Sequence, residues 1–170
     1  MLGNPANTID LGGGNDTVNF NANVFDITVT NVENINGSAN FDRITIGNTS
    51  GNTTITAGAG ADEVTASAGH DNFRFTSVAD SAAGAADTIH NFDAANDSFT
   101  FSGISIAGDH IEYVGTGAFA GPGQASAHLQ SNGPGNDYLQ IDTNGDGQSD
   151  MDISLQNFTG TLHNGNFLLT

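Results

Sequence analysis

Cysteine is absent from the 170 residues, which excludes disulfides and thiolate metal sites as sources of cohesion. Basic residues are almost as scarce. Only Arg43 and Arg74 stand against 19 acidic residues, for a formal net charge of −17. Such a surface offers no basic patch for phosphates, so nucleic acid is not expected as a partner. No apolar run is long enough to cross a bilayer. The opening Met1-Leu2-Gly3-Asn4-Pro5 has neither the basic nor the apolar segment of a secretory signal peptide. Strong helix formers are few, and the glycines follow no collagen-like period of three.

What is present is glycine, 23 residues of it, and aspartate, which supplies nearly all of the acid. Aspartate is poor in helices, favourable in turns and a good ligand for hard cations. The acids do not form a block. They are spread among glycines and apolar residues, which points to many short strands joined by tight turns.

A nine-residue frame emerges when the chain is aligned on an Asp followed two residues later by an apolar side chain. Ala57 to Thr65, with Asp62 and Val64, runs without a gap into Ala66 to Arg74, with Asp71 and Phe73. Leu11 to Asn19 fits with Asp16 and Val18, and Gly37 to Thr45 with Asp42 and Ile44. Asn48 to Thr56 keeps Gly51 and Ile55 but has Thr53 in the acidic place, and Leu2 to Asp10 fits loosely. The frame resembles the calcium-binding nonapeptide of RTX proteins. Glycines such as Gly58, Gly60 and Gly69 allow a tight turn in which carbonyls approach a cation, and the Asp adds a carboxylate. The apolar residue points inward from a very short strand. One apolar side chain per repeat makes a thin core, so metal has to supply much of the cohesion.

In the RTX β-roll that the frame resembles, two repeats make one coil. Equivalent positions then lie 18 residues apart: Asp62 pairs with Asp80, Asp71 with Thr53 and Asp16 with Asn34. Calcium is expected between Asp62 and Asp80, then at Asp71 and at Asp16. Asp42 joins the Asp62 side if the residues between repeats bulge.

From Phe73-Arg74-Phe75 onward, Ser77 to Ser81, Ala86 to Phe92, Asp97-Ser98-Phe99, Gly117 to Gly121 and Leu139 to Leu155 occur in an order that resembles the C-terminal domain of serralysin-type secreted metalloproteases. That resemblance implies calcium ligands at Asp80 and Asp87. Asp142, Asn144, Asp146 and Asp150 match the start of an EF-hand-like loop, but Ile153 stands where Glu is needed. The flanks alternate like strands, so this segment is either a second calcium site or a plain hairpin turn. His70, His90, His110, His128 and His163 are scattered, and no His-Glu-x-x-His pair occurs. They are expected to be structural or surface residues, and catalysis is not expected.

The expected architecture is all-β. Residues 1–75 form a calcium-binding parallel β-roll, and residues 76–170 an antiparallel β-rich cap ending in an export signal. Asn166 to Thr170 resembles the C-terminal export region of type I secretion substrates, or is simply a final strand. The implied partners are calcium ions and the type I secretion machinery, with extracellular polysaccharide or a cell surface as further candidates. The ending also resembles alginate epimerase R-modules, and a surface-layer or adhesin terminus is the other alternative. Because Leu2 already lies in a repeat, the chain is expected to continue a longer roll within a larger extracellular protein. Two carboxylates about 5 Å apart repel by about 3 kcal/mol at an effective dielectric near 20. Stacked aspartates over a thin core should therefore leave the calcium-free chain largely unfolded.

Overall fold

A computed structural model describes residues 7–133 and 135–170; Leu2 to Ala6 of the first loose repeat lie outside the described residues. The chain winds through β1 (Asn7–Asp10), β2 (Thr17–Asn19), β3 (Ile27–Thr30), β4 (Asn34–Asn36), β5 (Arg43–Ile46), β6 (Asn52–Thr56), β7 (Glu63–Thr65), β8 (His70–Phe75), β9 (Asp87–His90) and β10 (Ser98–Phe101). Odd strands pair in parallel in one sheet and even strands in parallel in the other. This is a parallel β-roll.

Strand polarity follows from residue alternation. In β6, Thr53 and Ile55 point inward while Asn52, Thr54 and Thr56 face outward, the period-2 pattern of a pleated strand. Stacking then aligns Val18, Ile35, Ile55, Phe73 and Phe99 in one sheet and Ile44, Val64 and Ile89 in the other.

After β10 come β11 (Glu112–Tyr113), β12 (Ser126–Ser131), β13 (Asn136–Asp142), β14 (Met151–Gln156) and β15 (Phe167–Leu169). Strands β12, β13 and β14 are antiparallel, and β14 lies parallel against β9, so the first sheet continues from roll to hairpins without a break. Strand β15 closes the edge of the second sheet beside β10; the last residues do form a final strand.

The core thickens toward the C-terminus. The first coils bury single Val and Ile side chains, whereas Phe73, Phe92, Phe99 and Phe101 cluster further on with Leu139, Ile141 and Leu155. Phe92 and Phe99 stack with centroids 4.5 Å apart and planes 4° apart. Packing alone is thus weakest where the aspartate turns are most regular.

Candidate metal centre

The turns entering β5, β7 and β9 stack on one edge of the roll. The stacking is close because glycine permits it: a Cβ on Gly58, whose φ is +101°, would collide with the Ser38 carbonyl oxygen, and one on Gly37 with the Ala57 carbonyl oxygen. The aspartates ending these turns form a ladder. The Val24 N–H donates to Asp42 Oδ1 at 2.7 Å, the Asp42 N–H to Asp62 Oδ1 at 2.7 Å, and the Asp62 N–H to Asp87 Oδ1 at 2.8 Å. Asp42, Asp62 and Asp87 are 0%, 1% and 2% exposed.

Asp80 joins them from a short 3-10 turn, Val78–Ser81. Its Oδ2 accepts from the Thr76 and Ser77 N–H groups and the Thr76 hydroxyl. Ser81 locks this turn to both neighbours: its hydroxyl donates to the Asp152 carbonyl and accepts the Asp87 N–H.

Among the described residues no cation offsets this charge. Arg43 is held by Glu63 at 2.7 Å and Asp26 at 3.1 Å, and Arg74 donates to the Ser102 hydroxyl. Burial, reinforced by Asp42 and Asp80, pushes the Asp62 carboxyl up to about 7. Burial, reinforced by Asp62 and Asp80, pushes Asp87 up to about 8. Asp62 Oδ2 is buried without any hydrogen-bond partner. An orphaned carboxylate oxygen in such a place costs free energy unless something positive meets it.

The opposite edge carries a second ladder: Asp16, Glu33, Thr53, Asp71 and Asp97. The Asp16 N–H donates to Glu33 Oε2 at 2.7 Å and the Asp71 N–H to Asp97 Oδ1 at 2.9 Å. Thr53 sits opposite Asp71. Burial raises the Asp71 carboxyl and pushes Asp97 up to about 6. Asp71 accepts from the Ser67 N–H and hydroxyl and Asp97 Oδ2 from the Asp93 N–H, much as Asp42 Oδ2 accepts the Ser38 N–H on the first edge. Asp16 Oδ2, at the far end, has no partner.

The segment from Asp142 to Asp150 joins β13 to β14 as a hairpin loop. Asp142 is fully buried and accepts the N–H groups of Gly145, Asp146 and Gly147. Asp150 accepts from Thr143 and Asn144, and Asp146 Oδ1 accepts the Gln148 N–H. The loop's own amides thus satisfy its carboxylates.

The family model described as Peptidase M10 serralysin C terminal matches residues 7–167 of the chain. The chain belongs to that family. Among solved structures, the AlgE6R3 subunit of the Azotobacter vinelandii mannuronan C5-epimerase is 21% identical, with a TM-score of 0.43, covering 80% of this chain and 77% of that one. None of the curated proteins matches the chain in sequence.

Calcium, which the serralysin C-terminal resemblance implies, suits the donor set of the first edge. The available atoms are hard oxygens, the carboxylates lack a basic partner, and Asp62 Oδ2 awaits a cation. Among the described residues no three acidic or histidine side chains already form a metal cage, so carbonyls of the glycine turns would have to complete the shell. Asp62, Asp80, Asp87 and Asp42 are the side chains that could hold an ion there, with the turns of Gly58 and Gly60 beside them. Bound calcium would neutralise the stacked carboxylates.

The spacing expected from the repeat needs correcting. Asp42 lies on the Asp62 side at a step of 20 residues, as a two-residue bulge between repeats requires, but the next ladder position is Asp87, 25 residues on, rather than Asp80 at 18. Asp80 arrives from the turn that lengthens the last coil. The step of 18 holds only between β6 and β8, where Thr53 faces Asp71 as expected. Asn34 pairs with Thr17, so the residue level with Asp16 is Glu33.

Glu33 and Asp97 are ladder members that the sequence reading left out. Asp97-Ser98-Phe99 carries the same Asp-x-apolar signature and was detectable by it; Glu33 carries no such mark. Four histidine rings have local partners. Those of His70, His90, His110 and His128 lie 2.7–3.0 Å from Asn96 O, Glu63 Oε1, Gly108 O and Gly117 O. The His163 N–H donates to Asn166 Oδ1.

Proposed function

We propose that this chain is a non-catalytic calcium-binding module of a larger extracellular protein, folding when it meets calcium after export in unfolded form. The observation that carries the reading is the buried ladder Asp42–Asp62–Asp87 with Asp80 beside it, no basic neighbour and an unpartnered Asp62 Oδ2. A metal that binds only the folded state adds its binding free energy to folding. Low cytosolic calcium keeps the chain threadable for type I secretion, and higher external calcium closes the roll. In this reading the metal-dependent part extends from residues 1–75 to Asp80 and Asp87, and the rest of residues 76–170 forms the cap and presents the export region at Asn166 to Thr170. Asp16 and the Asp142–Asp150 loop are secondary candidates for ions.

Far-UV circular dichroism tests the reading. In chelator the chain should lose most of its strand signal, and millimolar calcium should restore it, while magnesium at the same concentration does not. A chain fully folded in chelator contradicts it.

A further inference from the structure

The two edges of the roll are chemically unequal. On the edge of Asp62, three stacked positions are all aspartate, and one buried carboxylate oxygen lacks a partner. On the opposite edge the middle position is Thr53, which is 1% exposed. Its hydroxyl donates to the Val32 carbonyl and accepts from Asn48 Nδ2, which itself reaches Val32 O at 2.8 Å. Above it, Asp71 Oδ2 accepts the Ser67 N–H at 2.6 Å and Oδ1 the Ser67 hydroxyl at 3.2 Å. Above that, both Asp97 oxygens accept main-chain N–H groups, from Asp71 at 2.9 Å and Asp93 at 2.8 Å.

We infer that the seam from Thr53 to Asp97 is closed by hydrogen bonds without calcium, so that the roll is metal-locked on the Asp62 edge and metal-free along this seam. The inference rests on the calcium reading above and deepens it. A cation needs several oxygens from adjacent turns. At Thr53 a hydroxyl stands in place of a carboxylate; it bonds the Val32 carbonyl of the preceding coil and also meets the Asp71 carboxylate. Both oxygens of Asp71 and of Asp97 already accept donors from the chain, whereas on the other edge Asp62 Oδ2 accepts none. Asp16, beyond Glu33 at the far end of this edge, lies outside the seam.

Calcium stoichiometry, measured by native mass spectrometry and isothermal titration, separates the possibilities. Asp62→Asn should lose at least one ion relative to the wild type, whereas Asp71→Asn should keep the wild-type number with less than a twofold change in affinity. An ion lost from Asp71→Asn overturns the inference while leaving the calcium reading intact. A wild-type chain that binds none sinks the reading itself. If Asp71→Asn does not fold, Thr53→Asp decides: restoring the missing carboxylate should add one ion, and an unchanged count overturns the inference.

Discussion

At the scale of single residues, glycine and aspartate divide the work between reach and charge. Gly58 is fixed by both its positive φ and the Ser38 carbonyl beneath it. Gly58→Ala should lower the stability of the calcium-loaded chain by about 2–4 kcal/mol in urea unfolding. Gly84, with φ +87° and open space around its Cα, is the control, and its alanine variant should lose only the backbone cost of about 1–2 kcal/mol. Asp62→Asn keeps an acceptor for the Asp42 N–H but removes a buried charge. Its metal-free form should therefore retain more strand signal than metal-free wild type at pH 7.5. Its calcium midpoint should rise at least tenfold, equivalent to about 1.4 kcal/mol, as read by circular dichroism. Asp62 was legible in the sequence because two repeats run in register around it. The burial of Asp80 was not, because a loop aspartate before a serine looks the same whether solvated or packed.

At the scale of elements, each ladder is a unit whose stability depends on pH. Burial raises the carboxyls of Asp62, Asp87 and Asp97 to about 7, 8 and 6, while an unfolded Asp titrates near 3.9. From about pH 4 to 8 the folded metal-free chain holds protons that the unfolded chain has released, so its stability falls as pH rises. Their contribution is complete below the unfolded value and gone above the folded ones. Glu63 acts oppositely. Although burial pulls its pKa upward, hydrogen bonds from Arg43 and His90 hold it below the ordinary value, so its contribution disappears only in acid. The strand signal remaining in chelator should be greater at pH 5 than at pH 8, and calcium affinity should rise over the same interval as protons cease to compete. Chelator spectra that are identical from pH 5 to 8 would count against the buried ladder. Strand identity was readable from the Asp-x-apolar frame for β2, β5, β7 and β8 and, with Thr53 in the acidic place, for β6, but not for β3 and β4, which no frame covers. Register was not: turn lengths vary between coils, and the short turn at Val78–Ser81 inserts residues that no repeat count anticipates.

Across the whole molecule, cohesion is graded. Valine and isoleucine ladders hold the first coils, whereas phenylalanines and the β12–β14 hairpins fill the C-terminal end. Burying an aromatic side chain contributes more than burying valine, so the cap should retain order longest as calcium is withdrawn. Hydrogen exchange during calcium depletion should show protection lost first over β2–β7 and last over β13 and β14. The all-β class, the parallel roll and its antiparallel continuation could be seen from composition and motif order. The shared sheets across β9 and β14 could not, because that pairing joins segments far apart in the chain. The most direct measurement is an anomalous difference map from crystals grown in abundant calcium. The account predicts a peak within coordination distance of Asp62 Oδ2, shared with Asp80 or Asp87 and a glycine-turn carbonyl. Ordered water alone at that oxygen would contradict it.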